Sequence, residues 1–167
     1  MMRSRPPNIR IPLTPMKAPI PLPSGCILRP ATQADIWPIR WLVLSVPLDP
    51  TQLRWQQFWV IEFEKKVIAC GQLRSFEEAQ ELGSLVVAKG WRDRGVGSIL
   101  ARHLIQEATQ PLYLECLGQR LAAYYRRFGF EPVDWEKLPR SLQRKFGTSK
   151  TVATLLRLPL VIMHRPD

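Results

Sequence analysis

The residues best placed to do chemistry lie past the middle of the chain, in Leu85-Val86-Val87-Ala88-Lys89-Gly90-Trp91-Arg92-Asp93-Arg94-Gly95-Val96-Gly97-Ser98. Val86 and Val87 favour extended backbone. Gly95 and Gly97 flank a single residue, so the chain can turn sharply there and meet a ligand with no Cβ in the way. Ile99, Leu100, Leu104 and Ala108 then recur at helical spacing, with Arg102, Gln106 and Glu107 off that stripe. A strand, a glycine turn and a helix start in this order aim unpaired N–H groups and a partial positive charge at whatever sits over the turn. Phosphate is the usual occupant.

Two nucleotide motifs do not fit. The ATP-type loop needs Gly-x-x-x-x-Gly-Lys-Ser/Thr, which the chain lacks. The dinucleotide fingerprint needs a third glycine where Leu100 stands. Glu115 does fall about 20 residues on, where that fingerprint wants an acid, but too little sequence follows for such a fold. Two glycines alone also allow a plain strand-to-helix turn with no ligand.

Arg92-x-x-Gly95-x-Gly97, with Leu85-x-Val87 before it, resembles the Arg/Gln-x-x-Gly-x-Gly/Ala pyrophosphate motif of the GNAT family of N-acetyltransferases. Downstream, Ala122-x-x-Tyr125-Arg126-Arg127-Phe128-Gly129-Phe130 resembles that family's second hallmark. The two matches cover residues 79–133, and the Ile27-x-Arg29-Pro30-Ala31-x-x-x-Asp35 run is similar to the family's usual opening. The resemblance implies acetyl-CoA as co-substrate. Its pantetheine arm would run along Leu85, Val86 and Val87. Its pyrophosphate would lie along Asp93, Arg94, Gly95, Val96, Gly97 and Ser98, with Arg92 and Arg94 adding charge.

Acetyl transfer to an amine makes three demands. The amine, with a pKa of about 10, must lose a proton. The thioester oxygen needs a hydrogen-bond donor as it gains charge, and the departing thiolate needs an acid. By resemblance, Tyr125 is the general acid and the Val87 N–H the oxygen donor. Tyr124 is displaced about 100° around the helix and is expected to point elsewhere. Glu81, eleven residues before Arg92 on the incoming strand, is the candidate base, and Glu115 the second. Each has a plainer reading: Tyr125 as a core aromatic, Glu81 as a strand-end carboxylate, Arg92 and Arg94 as solvated loop residues. The chain also departs from the family pattern at Gly118, where many members carry a CoA-contacting asparagine. The resemblance thus implies an N-acetyltransferase moving an acetyl group to a primary amine by direct attack. The alternative is a catalytically inactive acyl-CoA-binding or regulatory domain of the same fold.

Composition bounds the partners. With 167 residues one compact domain is expected. The net charge of +10 and pI near 10.2 suit a polyanionic ligand such as CoA as well as nucleic acid or an anionic membrane. No helix-turn-helix, zinc-finger or RNA-binding signature is present, so no nucleic-acid partner is expected, and no apolar run reaches a membrane span. The acceptor would be a small molecule or a protein amine, and a homodimer is left open. Cys26, Cys70 and Cys116 are widely separated and read as reduced thiols of a cytoplasmic protein. His103 and His164 are isolated, and no metal site is expected.

Prolines 6, 7, 12, 15, 19, 21 and 23 make residues 1–25 a basic, proline-rich arm without regular structure. The domain is expected over residues 26–167. It opens with a strand at Cys26-Ile27-Leu28-Arg29-Pro30 and a helix capped at Thr32 and kinked at Pro38. Pro47 and Pro50 bound a loop near 47–53, which the resemblance implies would lie over the acceptor. A hairpin follows, Phe58 to Phe63 and Val67 to Arg74, then a strand over 79–88, the helix over 97–109, a strand over 112–116, a helix from Gln119 to Phe128 and a strand from Phe130. Leu138 to Phe146 reads as a short basic helix and Thr151 to Leu158 as a last strand, extended or followed by Leu160 to Met163. The fold class is therefore α/β (α+β): a single domain with a mixed, mostly antiparallel twisted sheet of six to seven strands and about four helices, and the resemblance implies splayed central strands.

Overall fold

The computed structural model describes residues 21–46 and 52–166. The proline-rich arm up to residue 20, and residues 47–51 of the expected acceptor loop, lie outside the described residues.

The elements run β1 (Cys26–Pro30), α1 (Ile36–Leu44), β2 (Phe58–Phe63), β3 (Lys66–Ser75), β4 (Gln80–Val87), α2 (Val96–Glu107), β5 (Leu112–Leu117), α3 (Gly118–Arg126), β6 (Glu131–Pro132), α4 (Arg140–Leu155) and β7 (Leu160–Arg165). The strands form one sheet in the order β1-β2-β3-β4-β5-β7-β6. Every neighbouring pair is antiparallel except β4 and β5.

Alternation along the strands sorts the helices onto two faces. Ile61, Ala69, Leu82 and Leu114 turn to one face, where Leu100 and Leu104 of α2 and Ala122 and Tyr125 of α3 close over them. Val60, Cys70 and Val86 turn to the other face and meet Ile39 and Val43 of α1. Tyr113 and Ala79 lie on that second face too, under Leu142 and Phe146 of α4. Fully burying each such leucine or phenylalanine contributes about 1.5–3 kcal/mol.

The hairpin turns on Glu64 and Lys65, both with positive φ (47° and 62°), the geometry whose twist suits a two-residue connection. Pro38 does not kink α1. It is the third residue of the helix, where its missing N–H costs no intrahelical bond. Thr32 caps a short 3₁₀ turn over Gln33–Asp35 that leads into α1. Asp35 accepts from the Thr32 N–H at 2.7 Å and from Arg29 Nη1 at 2.7 Å, tying β1 to that turn.

The last third differs from the sequence expectation. Thr151 to Leu158 is no strand. One helix, α4, runs for 16 residues through Leu155, and the final strand is Leu160–Arg165 alone. Leu142, Phe146 and Ala153 are buried at helical intervals. The threonines that read as strand formers hydrogen-bond back along the helix, Thr151 Oγ1 to Gly147 O at 2.9 Å and Thr154 Oγ1 to Lys150 O at 2.8 Å. β7 then fills the slot beside β5 over six residue pairs.

Candidate functional site

β4 and β5 pair only at Gln80–Leu112 and Glu81–Tyr113. Beyond those two pairs β4 continues to Val87 and β5 to Leu117 without further pairing, so the sheet parts at its centre. A β-bulge falls where the strands part. Gly71 lies opposite both Ser84 and Leu85, because the register steps from Cys70–Val86 to Gln72–Gly83, and Ser84 takes a φ of 49°. Bulges bend a strand and re-aim its groups.

Past the bulge the ladder fixes where the backbone of Val87 points. Ala88 N–H donates to Ile68 O at 2.8 Å. The adjacent pair, Ala69–Val87, is therefore the kind whose N–H and C=O groups turn away from each other. Those of Val87 face the parted edge, and its carbonyl accepts from Arg92 Nε at 3.0 Å.

The chain then makes a short 3₁₀ turn at Lys89–Trp91 and enters α2. Asp93 (φ 61°) and Gly95 (φ 80°) both take left-handed backbone, which aspartate tolerates and glycine adopts freely. The first intrahelical bond runs from Ile99 N to Gly95 O at 3.0 Å. The N–H groups of Val96, Gly97 and Ser98 are thus the open donors of the helix start. The N-cap residue is Gly95, which has no side chain to cap them. Arg94 stacks its guanidinium on Trp91 at 5.1 Å.

Gly97 sits in a tight space. A Cβ there would stand 3.3 Å from Tyr124 Oη and 3.3 Å from Val87 Cγ2. Tyr124 therefore reaches the glycine turn, and its hydroxyl lies 3.5 Å from Ser98 Oγ. The sequence gave no hint of this contact, which depends on how α3 crosses α2. Tyr125 itself is buried, with its ring edge-on to Tyr124 and Phe130. Burial, with Tyr124 and Cys116 nearby, pushes its phenol well above the ordinary tyrosine range.

Glu81 lies on the opposite face of β4, 1% exposed. Its Oε1 accepts from Arg74 Nη1 at 2.9 Å, and its Oε2 is buried without a hydrogen-bond partner among the described residues. A polar chain leads away from it: Arg74 Nη2 to Ser84 Oγ at 3.2 Å, Ser84 Oγ to Gln72 Oε1 at 3.4 Å, and Gln72 Nε2 to Gln57 Oε1 at 2.8 Å. Nothing in the spacing of these residues announced the chain. The bulge at Ser84 brings them together. Glu115 lies one strand away and accepts from Ser149 of α4 at 2.8 Å.

A parted pair of central strands, a bulge beside it and an open helix start at its mouth coincide with a family match. Residues 54–132 match the family described as "Acetyltransferase (GNAT) domain". Over 103 residues the chain is 32% identical to an amino-acid acetyltransferase of Shewanella oneidensis, covering 59% of this chain and 23% of that protein. An amino-acid acetyltransferase of Pseudomonas aeruginosa is 36% identical over 89 residues, 50% of this chain and 20% of that one. The chain thus spans less than a quarter of the length of these two relatives. The GNAT fold extends beyond the matched residues. N-acetylglutamate synthase from Neisseria gonorrhoeae, solved with coenzyme A and N-acetyl-glutamate, superimposes with a TM-score of 0.68 at 18% identity, over 85% of this chain and 35% of that one. A Mycobacterium tuberculosis protein solved with CoA superimposes with a TM-score of 0.65 at 21% identity, over 84% of this chain and 99% of that one.

Proposed function

We propose that this protein is an acetyl-CoA-dependent N-acetyltransferase acting on the primary amine of an amino acid. The observation that carries the reading is the parting of β4 from β5 after two residue pairs, which leads directly to the uncapped start of α2. The names of the relatives support the acceptor class.

The open N–H groups of Val96, Gly97 and Ser98 hold the pyrophosphate, and the helix dipole adds to their pull. The parted edge from Leu85 to Val87 pairs with the pantetheine amides as an added strand would. Acetyl-CoA supplies the acetyl group as a thioester. The Val87 N–H donates to the thioester oxygen while charge develops there. Tyr125, kept protonated by its burial, gives its proton to the sulfur as the carbon–sulfur bond breaks and the amine nitrogen takes the acetyl carbon. Glu81 receives the amine proton through water on its unpartnered Oε2, while Arg74 fixes the carboxylate through Oε1.

The test is thiol release from acetyl-CoA against a panel of amino acids, polyamines and peptides. Turnover with an α-amino acid supports the proposal. Turnover with polyamines alone removes the acceptor assignment, and no turnover with calorimetric CoA binding leaves a non-catalytic CoA-binding domain.

A further inference from the structure

We infer that Arg102, Arg127 and the Tyr124–Ser98 hydroxyl pair form a phosphate-monoester subsite beside the glycine turn, which takes the 3′-phosphate of coenzyme A. The inference rests on the reading of the parted strands as a CoA site, but on different residues.

Arg102 is one turn further along α2 than Ser98, about 6 Å at 1.5 Å per residue. In CoA the 3′-phosphate and the pyrophosphate hang on the same ribose, so the two anionic groups must bind within one sugar's width of each other. Arg102 Nη1 is buried and has no hydrogen-bond partner among the described residues. Its guanidinium faces the Phe128 ring at 5.6 Å. Arg127 approaches from α3, over the rings of Tyr124 at 4.6 Å and Phe128 at 6.0 Å. Among the described residues neither arginine makes an ion pair. Both guanidinium groups face the Phe128 ring without an ion-paired carboxylate among the described residues, so an anion bound between them would offset their like charge. The planar donors of arginine suit phosphate oxygens. The hydroxyls of Ser98 and Tyr124, 3.5 Å apart, can each turn a proton toward the same anion.

The experiment compares CoA with dephospho-CoA, which lacks only the 3′-phosphate, by calorimetric titration of the full chain. The wild-type protein is expected to bind CoA at least tenfold more tightly than dephospho-CoA. Arg102→Gln is expected to weaken CoA roughly tenfold and to leave dephospho-CoA unchanged, because a charge-assisted contact of this kind is worth about that much. Arg127→Gln, at an exposed position, is expected to do the same and guards against a folding defect at Arg102. Equal wild-type affinity for the two ligands overturns the subsite while keeping the CoA site. So does a loss in both variants that is the same for both ligands. Failure of the wild-type protein to bind either ligand overturns the CoA reading itself, and the subsite falls with it.

Discussion

Gly95 sets the direction of the first N–H groups of α2, and replacing it separates backbone strain from ligand binding. At a φ of 80° and ψ of −6° it sits in left-handed space, where a Cβ costs about 1–2 kcal/mol. For a domain of this size, each kcal/mol lowers the melting temperature by about 2–4 °C. Gly95→Ala should therefore melt about 2–8 °C lower. To escape the strain the turn must rotate, and the donors at Val96 and Gly97 rotate with it. Each hydrogen bond to a charged oxygen is worth about 1.5–3 kcal/mol, so losing one should weaken CoA roughly ten- to a hundredfold. The control is Gly129→Ala. Gly129 has a φ of 86°, and a Cβ there would meet Arg165 Nε at an ordinary 3.7 Å. It follows the last turn of α3 and carries none of the glycine turn's donors, so it should lose similar thermal stability and keep its affinity for dephospho-CoA, the ligand that does not call on Arg127 two residues earlier. Scanning calorimetry and titration of CoA and dephospho-CoA on both variants make the comparison. If Gly95→Ala melts low yet binds CoA like wild type, or if both variants lose dephospho-CoA affinity equally, the open helix start is not the phosphate site.

Tyr125→Phe should lower kcat by at least tenfold with little change in CoA affinity, since only the acid is removed; an unchanged kcat would assign the proton donor elsewhere. Because burial raises the Tyr125 phenol, the wild-type rate should show no loss of this acid up to about pH 10, the ordinary tyrosine range. Glu81→Gln should cut kcat while Arg74 still finds an oxygen to bond, and its rate should recover partly at high pH as the amine deprotonates unaided; a rate equal to wild type at pH 7 would pass the role to Glu115 or solvent. Arg29 holds the Asp35 carboxyl down to about 2, below the ordinary aspartate value of about 3.9. A carboxylate lowered by folding stabilises above its unfolded pKa and loses that contribution as pH falls through the folded one. Thermal melts should therefore lose stability between about pH 4 and pH 2, and Asp35→Asn should flatten that slope; identical slopes would count against the Arg29–Asp35 pair as a folding contact.

The sequence by itself determined the features that depend on local backbone: the hairpin at Glu64–Lys65, the strand into Val87, the turn at Gly95 and Gly97, and the helix stop at Gly129. Each follows from torsion preference or from residues within a few positions of one another. The parting of β4 from β5 was legible only through the family resemblance, because no local rule says where two strands separate. Tertiary structure alone decided the rest. Thr151 to Leu155 carries strand-forming side chains, yet it is helix because Phe146 and Ala153 bury one face against the sheet and the threonine hydroxyls satisfy themselves on the backbone. Gln72, Arg74, Glu81 and Ser84 look like scattered polar residues until the bulge opposite Gly71 gathers them on one face of the sheet. Tyr124, Arg102 and Arg127 lie on two helices whose crossing no single-element pattern specifies. Contacts between residues far apart in the chain depend on packing of the whole domain, and spacing along the sequence carries no record of it.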